Sequence, residues 1–211
     1  MHPALSVIVF TTVSGLGYGL AAVLGLGVLD AASWPTRIAH VLALAAIAGG
    51  LLSSTLHLGN PQRAWRAFSQ WRSSWLSREG VLAVSTFLPL TVSAWMSVIE
   101  GRYLPVWGLL GTAGSIATVF SWAMIYTSLK SVQAWHTPLT VAGYLSFAAA
   151  GGLLLATAAA YAAGSDAAPA LAIAGIVALA AAWAIKGAWW RRQRRMKPIS
   201  TAETATGLGS I

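Results

Sequence analysis

Six apolar runs, each close to the roughly 20 residues a helix needs to cross a bilayer, dominate this chain. They cover about residues 4–29, 36–57, 80–100, 105–128, 138–163 and 168–190. Only 9% of the residues are charged and 57% are hydrophobic, against about 25% charged in a soluble domain. Hydrocarbon offers backbone amides no partner except one another, so each run is predicted to be a helix. The expected fold is all-α: a polytopic transmembrane bundle of six spans over residues 1–190, with an interfacial loop at 58–78. Residues 191–211 are expected to form a basic cytoplasmic tail or an incomplete continuation.

The first run carries Gly15, Gly17 and Gly19. No strand precedes them, so they are not a phosphate-binding loop. Gly15 and Gly19 share a helix face and are expected to admit a neighbouring helix closely. No Lys or Arg precedes this run, and it is too long for a signal-peptide core, which predicts a retained helix. With no cysteine in the sequence, neither a disulfide nor a cysteine-ligated iron–sulfur cluster can be built from it.

The net charge of +8 reads here as orientation and anionic-lipid contact rather than nucleic-acid binding. Eleven basic residues fall on one side of the six-span topology: Arg63, Arg66, Arg72, Arg78, Lys130, Lys186, Arg191, Arg192, Arg194, Arg195 and Lys197. Two, Arg37 and Arg102, fall on the other. The positive-inside rule then places the richer side, and the N-terminus with it, in the cytoplasm.

The longest polar interruption, Leu56 to Gly80, holds four arginines, His57, Glu79 and the tryptophans Trp65, Trp71 and Trp75. Gly59, Asn60 and Pro61 predict a turn. Trp65, Phe68, Trp71, Arg72 and Trp75 follow helical spacing and predict a short amphipathic helix at the interface. The third span is expected to begin near Ser77 as N-cap, with Glu79 in its first turn.

On the basic side His57, Glu79, Lys130 and His136 can converge. A histidine and a carboxylate at a membrane interface suit proton-coupled chemistry such as that of a quinone. Blander readings stay open at this point. His57 also fits an ordinary interfacial histidine, Glu79 a group complementing the helix dipole, and the tryptophans a membrane belt. His136, before Thr137 and Pro138, also fits a helix-start residue. His40 and His57 are 17 residues apart, roughly 25 Å along a helix, and cannot share a ligand; no haem is expected. Helix interiors almost free of charge, without evident repeats, argue against a transporter. A purely structural anchor is the third alternative.

Three stretches carry a family resemblance: HPALSVIVFTTVSGLGYGL (His2–Leu20), STLHLGNPQRAWRAFSQWRSSWLSREG (Ser54–Gly80) and MIYTSLKSVQAWHTP (Met124–Pro138). The sequence resembles the membrane anchor subunits of the dimethyl sulfoxide reductase family (DmsC-like) over nearly its whole length. The resemblance implies an anchor that does not itself catalyse the substrate half-reaction. It would exchange electrons between an iron–sulfur subunit and a quinone, ubiquinone or menaquinone. Molybdopterin and the clusters would lie in the partner subunits only. It implies His57 and Glu79 as the quinone-site pair, with Arg63, Arg66, Trp71, Lys130 and His136 around them. No metal is expected in this chain. The family usually has about eight spans, and six are found here.

The basic, cytoplasmic loop makes the protein look more like the sulfite-oxidising (SoeC-type) anchors, which reduce quinone. A reductase anchor oxidising quinol is the alternative. The expected location is the bacterial inner membrane. The iron–sulfur subunit would dock on the cytoplasmic face, with the molybdopterin subunit beyond it and lipid around the spans.

Overall fold

A computed structural model describes residues 5–55 and 60–196. Among these residues six long helices follow one another: α1 Leu5–Leu24, α2 Trp34–Thr55, α3 Trp75–Val98, α4 Pro105–Thr127, α5 Pro138–Ala162 and α6 Ala168–Arg194. A short 3-10 helix, Pro61–Phe68, precedes α3. All six long helices are long and apolar enough to cross a membrane.

Helix starts and stops follow backbone chemistry. Proline opens α4, α5 and α6, where its missing N–H costs no hydrogen bond. After α1, α3 and α5 the backbone turns at Gly27, Gly101 and Gly164, with φ of 68°, 62° and 63°, a left-handed geometry that favours glycine. This is why α1 ends at Leu24 although the apolar run continues to about residue 29.

The start of α3 corrects the expectation. Ser74, not Ser77, is the N-cap, and Glu79 lies beyond the first turn, which holds no acidic residue. The charged residues do not delay the helix. Arg78 turns outward, donating from Nε to the Trp71 carbonyl at 3.0 Å and from its terminal nitrogen to the Arg72 carbonyl at 2.7 Å. Its guanidinium also lies over the Trp75 ring, at 4.3 Å. The loop helix is shorter and tighter than its aromatic spacing predicts. It ends at Phe68, and Trp71 sits in the following turn.

α1 is the central helix and packs against α2, α4 and α5; α3 packs on α4, and α6 on α5. Small residues set these approaches. A side chain at Gly19 would collide with the backbone of Ala148 and approach Gly152 on α5. Gly17 abuts Ala43 and Ile47 on α2, and Gly25 meets Gly108 on α4. Gly15 departs from expectation: nothing lies within 4 Å of where its side chain would stand.

Hydroxyls tie the end of the bundle opposite the basic loop. Ser97 donates to the Ala31 carbonyl at 2.9 Å, Tyr103 to Gly25 at 2.8 Å and Thr112 to Ala22 at 2.8 Å. Such bonds contribute about 0.6 kcal/mol each between membrane helices. The last two also satisfy carbonyls at or just past the end of α1, which lack helical partners.

Gly19→Ala is expected to destabilise the protein by about 1–3 kcal/mol through overpacking. Gly49→Ala, at an exposed helical position with open space around it, should leave stability nearly unchanged. Thermal unfolding of both variants in detergent would measure the contrast.

Candidate functional site

Glu79 is buried in the bundle, 8% exposed, on α3. Its Oε1 accepts a hydrogen bond of 2.9 Å from the indole Nε1–H of Trp122 on α4. Among the described residues no cation pairs with it. A buried carboxyl with one neutral donor is costly to keep, and the bland reading of Glu79 as a helix-dipole partner fails on its position.

Trp122 is held from the other side. Phe10 and Tyr18 of α1 pack edge-on against its ring, with centroids 4.9 and 5.4 Å away. Tyr18 is fully buried. The indole therefore has one orientation, fixed by two rings and one carboxyl oxygen.

Trp122 also forms part of the wall of a cleft of about 600 Å³ between α1, α4, α5 and α6. Its aromatic lining includes Tyr126 and Tyr144, stacked at 5.7 Å and 15°. Trp135 of the α4–α5 connection packs edge-on to Tyr126 at 5.2 Å. Gly15 borders the same cleft, which explains the open space beside it. Pockets of about 300–1,000 Å³ with apolar walls and few polar groups suit small organic ligands. The flat aromatic faces here fit a planar ring.

The other residues expected at the site are not gathered around Glu79. His57 lies outside the described residues. Arg63, Arg66 and Trp71 are exposed on the loop, with Arg66 over Trp65 at 5.7 Å. The loop does approach α3, where Phe68 lies nearest to Gly80. Lys130 is exposed, and so is His136. His136 Nδ1 pairs with the Thr127 carbonyl at 2.6 Å and closes the α4–α5 connection. Among the described residues no three His, Asp or Glu side chains are placed to share a metal ion.

Two residues at this site are not singled out by the sequence. Trp122 lies inside an apolar span, one turn before Tyr126, yet a tryptophan in a membrane helix ordinarily reads as a belt residue. Lys186, which also lines the cleft, reads as one basic residue among eleven.

A sequence model of the DMSO reductase anchor subunit (DmsC) matches residues 1–205. The chain belongs to the DMSO reductase anchor subunit family. The anchor is 35% identical to the C subunit of the sulfite dehydrogenase of Allochromatium vinosum, over 99% of its own length and 70% of that protein. It is 31% identical to the C chain of the anaerobic dimethyl sulfoxide reductase of Escherichia coli K12, over 64% of its own length and 49% of that one. A second E. coli protein, anaerobic dimethyl sulfoxide reductase chain YnfH, is 29% identical over 52% of the anchor and 39% of its own length. No solved structure matches the anchor. It is a multi-pass membrane subunit, as the six apolar helices require.

Replacing Trp122 by Phe would strand the Glu79 carboxyl, at an expected cost of about 1–3 kcal/mol. In a double-mutant cycle, Glu79→Leu should recover part of that loss in the Trp122→Phe background. Melting midpoints of the four proteins would give the coupling energy.

Proposed function

We propose that this anchor exchanges electrons between a docked iron–sulfur subunit and the quinone pool, with the quinone ring seated in the aromatic cleft. The observation that carries the reading is the hydrogen bond between Glu79 and Trp122, at the wall of that cleft. Reducing a quinone takes two electrons and two protons. The electrons come from the partner's clusters, and the quinone supplies the acceptor chemistry when bound. The anchor supplies the rest. Its aromatic walls exclude water and orient the ring. Trp122 keeps one wall in fixed register with α3. Glu79 holds and passes protons behind the Trp122 wall of the cleft. His57, assigned on the family resemblance, supplies a hydrogen bond to the ring oxygen nearest the loop.

Sulfite oxidation with quinone reduction is the preferred direction. It is supported by the similarity to a sulfite dehydrogenase subunit over almost the whole chain. The basic loop and the basic end of α6 would face the cytoplasm, and their exposed arginines would receive an acidic patch on the iron–sulfur subunit. The molybdopterin subunit would attach through that partner, in the bacterial inner membrane. Similarity to the E. coli reductase chains supports the reverse direction, quinol oxidation, as the second reading.

Glu79→Gln keeps an oxygen for Trp122 and removes the exchangeable proton. In the assembled complex, Glu79→Gln and His57→Ala should each leave turnover with an artificial dye unchanged. Quinone-linked turnover should fall by about 10²–10⁴, the usual contribution of a proton-transfer group. Full quinone activity in both variants would end the assignment.

Orientation has its own test. A cysteine in place of Ser69, exposed on the loop, should resist a membrane-impermeant thiol reagent in intact cells and react after lysis. Labelling of intact cells would reverse the topology and remove the cytoplasmic docking face.

A further inference from the structure

Lys186 is out of place for a topology signal. It sits eight residues before Arg194, the end of α6, or about 12 Å along the helix axis. That is on the hydrocarbon side of Trp189 and Trp190, whose rings mark an interfacial belt. A lysine whose backbone sits at such depth ordinarily faces a bundle interior or cavity, or extends its charge toward the interface. Lys186 does the former: it is half-buried and lines the cleft between α1, α4, α5 and α6. Among the described lining residues it is the one that carries a charge.

Its ammonium lies over the Trp189 ring at 4.1 Å and near that of Trp190 at 5.6 Å. Trp189 is itself pinned, its Nε1 donating to the Ala134 carbonyl at 3.0 Å. Among the described residues no carboxylate and no hydrogen-bond acceptor meets the ammonium. Three N–H donors are thus held beside an aromatic cleft on a fixed indole platform, lacking an oxygen partner. Trp122 and Glu79 belong to α4 and α3, whereas Lys186 comes from α6.

We propose that Lys186 is a further polar contact of the cleft, a cationic donor to one of the quinone oxygens. The proposal rests on the quinone reading above and adds a specificity residue to it. Its chemistry suits stepwise reduction. The partner's iron–sulfur clusters give electrons singly, so negative charge reaches the ring oxygens before both protons do. Two electrons and two protons complete the conversion of the two carbonyls to two hydroxyls. The ammonium stabilises the charged ring without giving up its own proton, because Glu79 provides the proton path.

The test is binding of 2-heptyl-4-hydroxyquinoline N-oxide, a fluorescent quinol analogue, to the intact complex in phosphatidylcholine nanodiscs. Quenching of its fluorescence gives Kd without turnover. Lys186→Met should weaken Kd by about tenfold or more, as expected for loss of a charged hydrogen bond. Lys186→Gln, which keeps a donor without the charge, should fall between. Lys186→Arg should restore binding to within about threefold of the parent, since it keeps both charge and donors. Parent-like Kd in both Lys186→Met and Lys186→Gln would overturn the proposal and return Lys186 to an interfacial anchor. Absence of quenching by the parent complex itself would instead overturn the quinone reading on which the proposal stands.

Discussion

The close approach of α1 to its neighbours is the contact on which the rest of the bundle depends. Lipid tails are as apolar as leucine, so no hydrophobic force drives these helices together. What remains is van der Waals packing of bare backbone, and Gly17, Gly19 and Gly25 give α1 three such surfaces against α2, α5 and α4. With α1 drawn inward, Phe10 and Tyr18 reach Trp122. The orientation of that indole, and so of Glu79, follows from helix packing rather than from any local motif.

The cleft has a similar origin. α6 packs on α5 while α1 packs on α2, α4 and α5. The four cleft-lining helices converge without filling the space among their basic-side halves. Bulky rings line the gap from α4, α5 and α6, while Gly15 on α1 and Gly143 on α5 leave room. The same division of large and small residues therefore builds both the tight seam and the open slot.

Much of this is legible in the sequence. Length and hydropathy mark all six spans, because a bilayer imposes one dimension on every crossing segment. Helix ends are less legible, because local chemistry decides them: Gly27 stops α1 inside an apolar run, while α3 starts from Ser74 rather than Ser77 and leaves Glu79 past its first turn. At the site, Glu79 stands out as a carboxylate in a poor setting for one. Trp122 and Lys186 do not, since their meaning lies in which neighbour they face. Linear spacing does not reveal that a tryptophan of α4 meets α3, or that a lysine of α6 faces a cleft rather than the interface. Gly15 and Gly19 share a stripe, but only the second is covered by a neighbour.

The two ends of the bundle differ in how much change they can absorb. At one end the links are brief, close through left-handed glycines, and are sewn to the helices by Ser97 and Tyr103. An extra residue beside Gly101 would pull Tyr103 off the Gly25 carbonyl and shift the register of α4. At the other end the protein spends residues 60–74 and 128–137 outside the long helices, much of it exposed. Evolution can lengthen, recharge or reshape those segments without disturbing the seam.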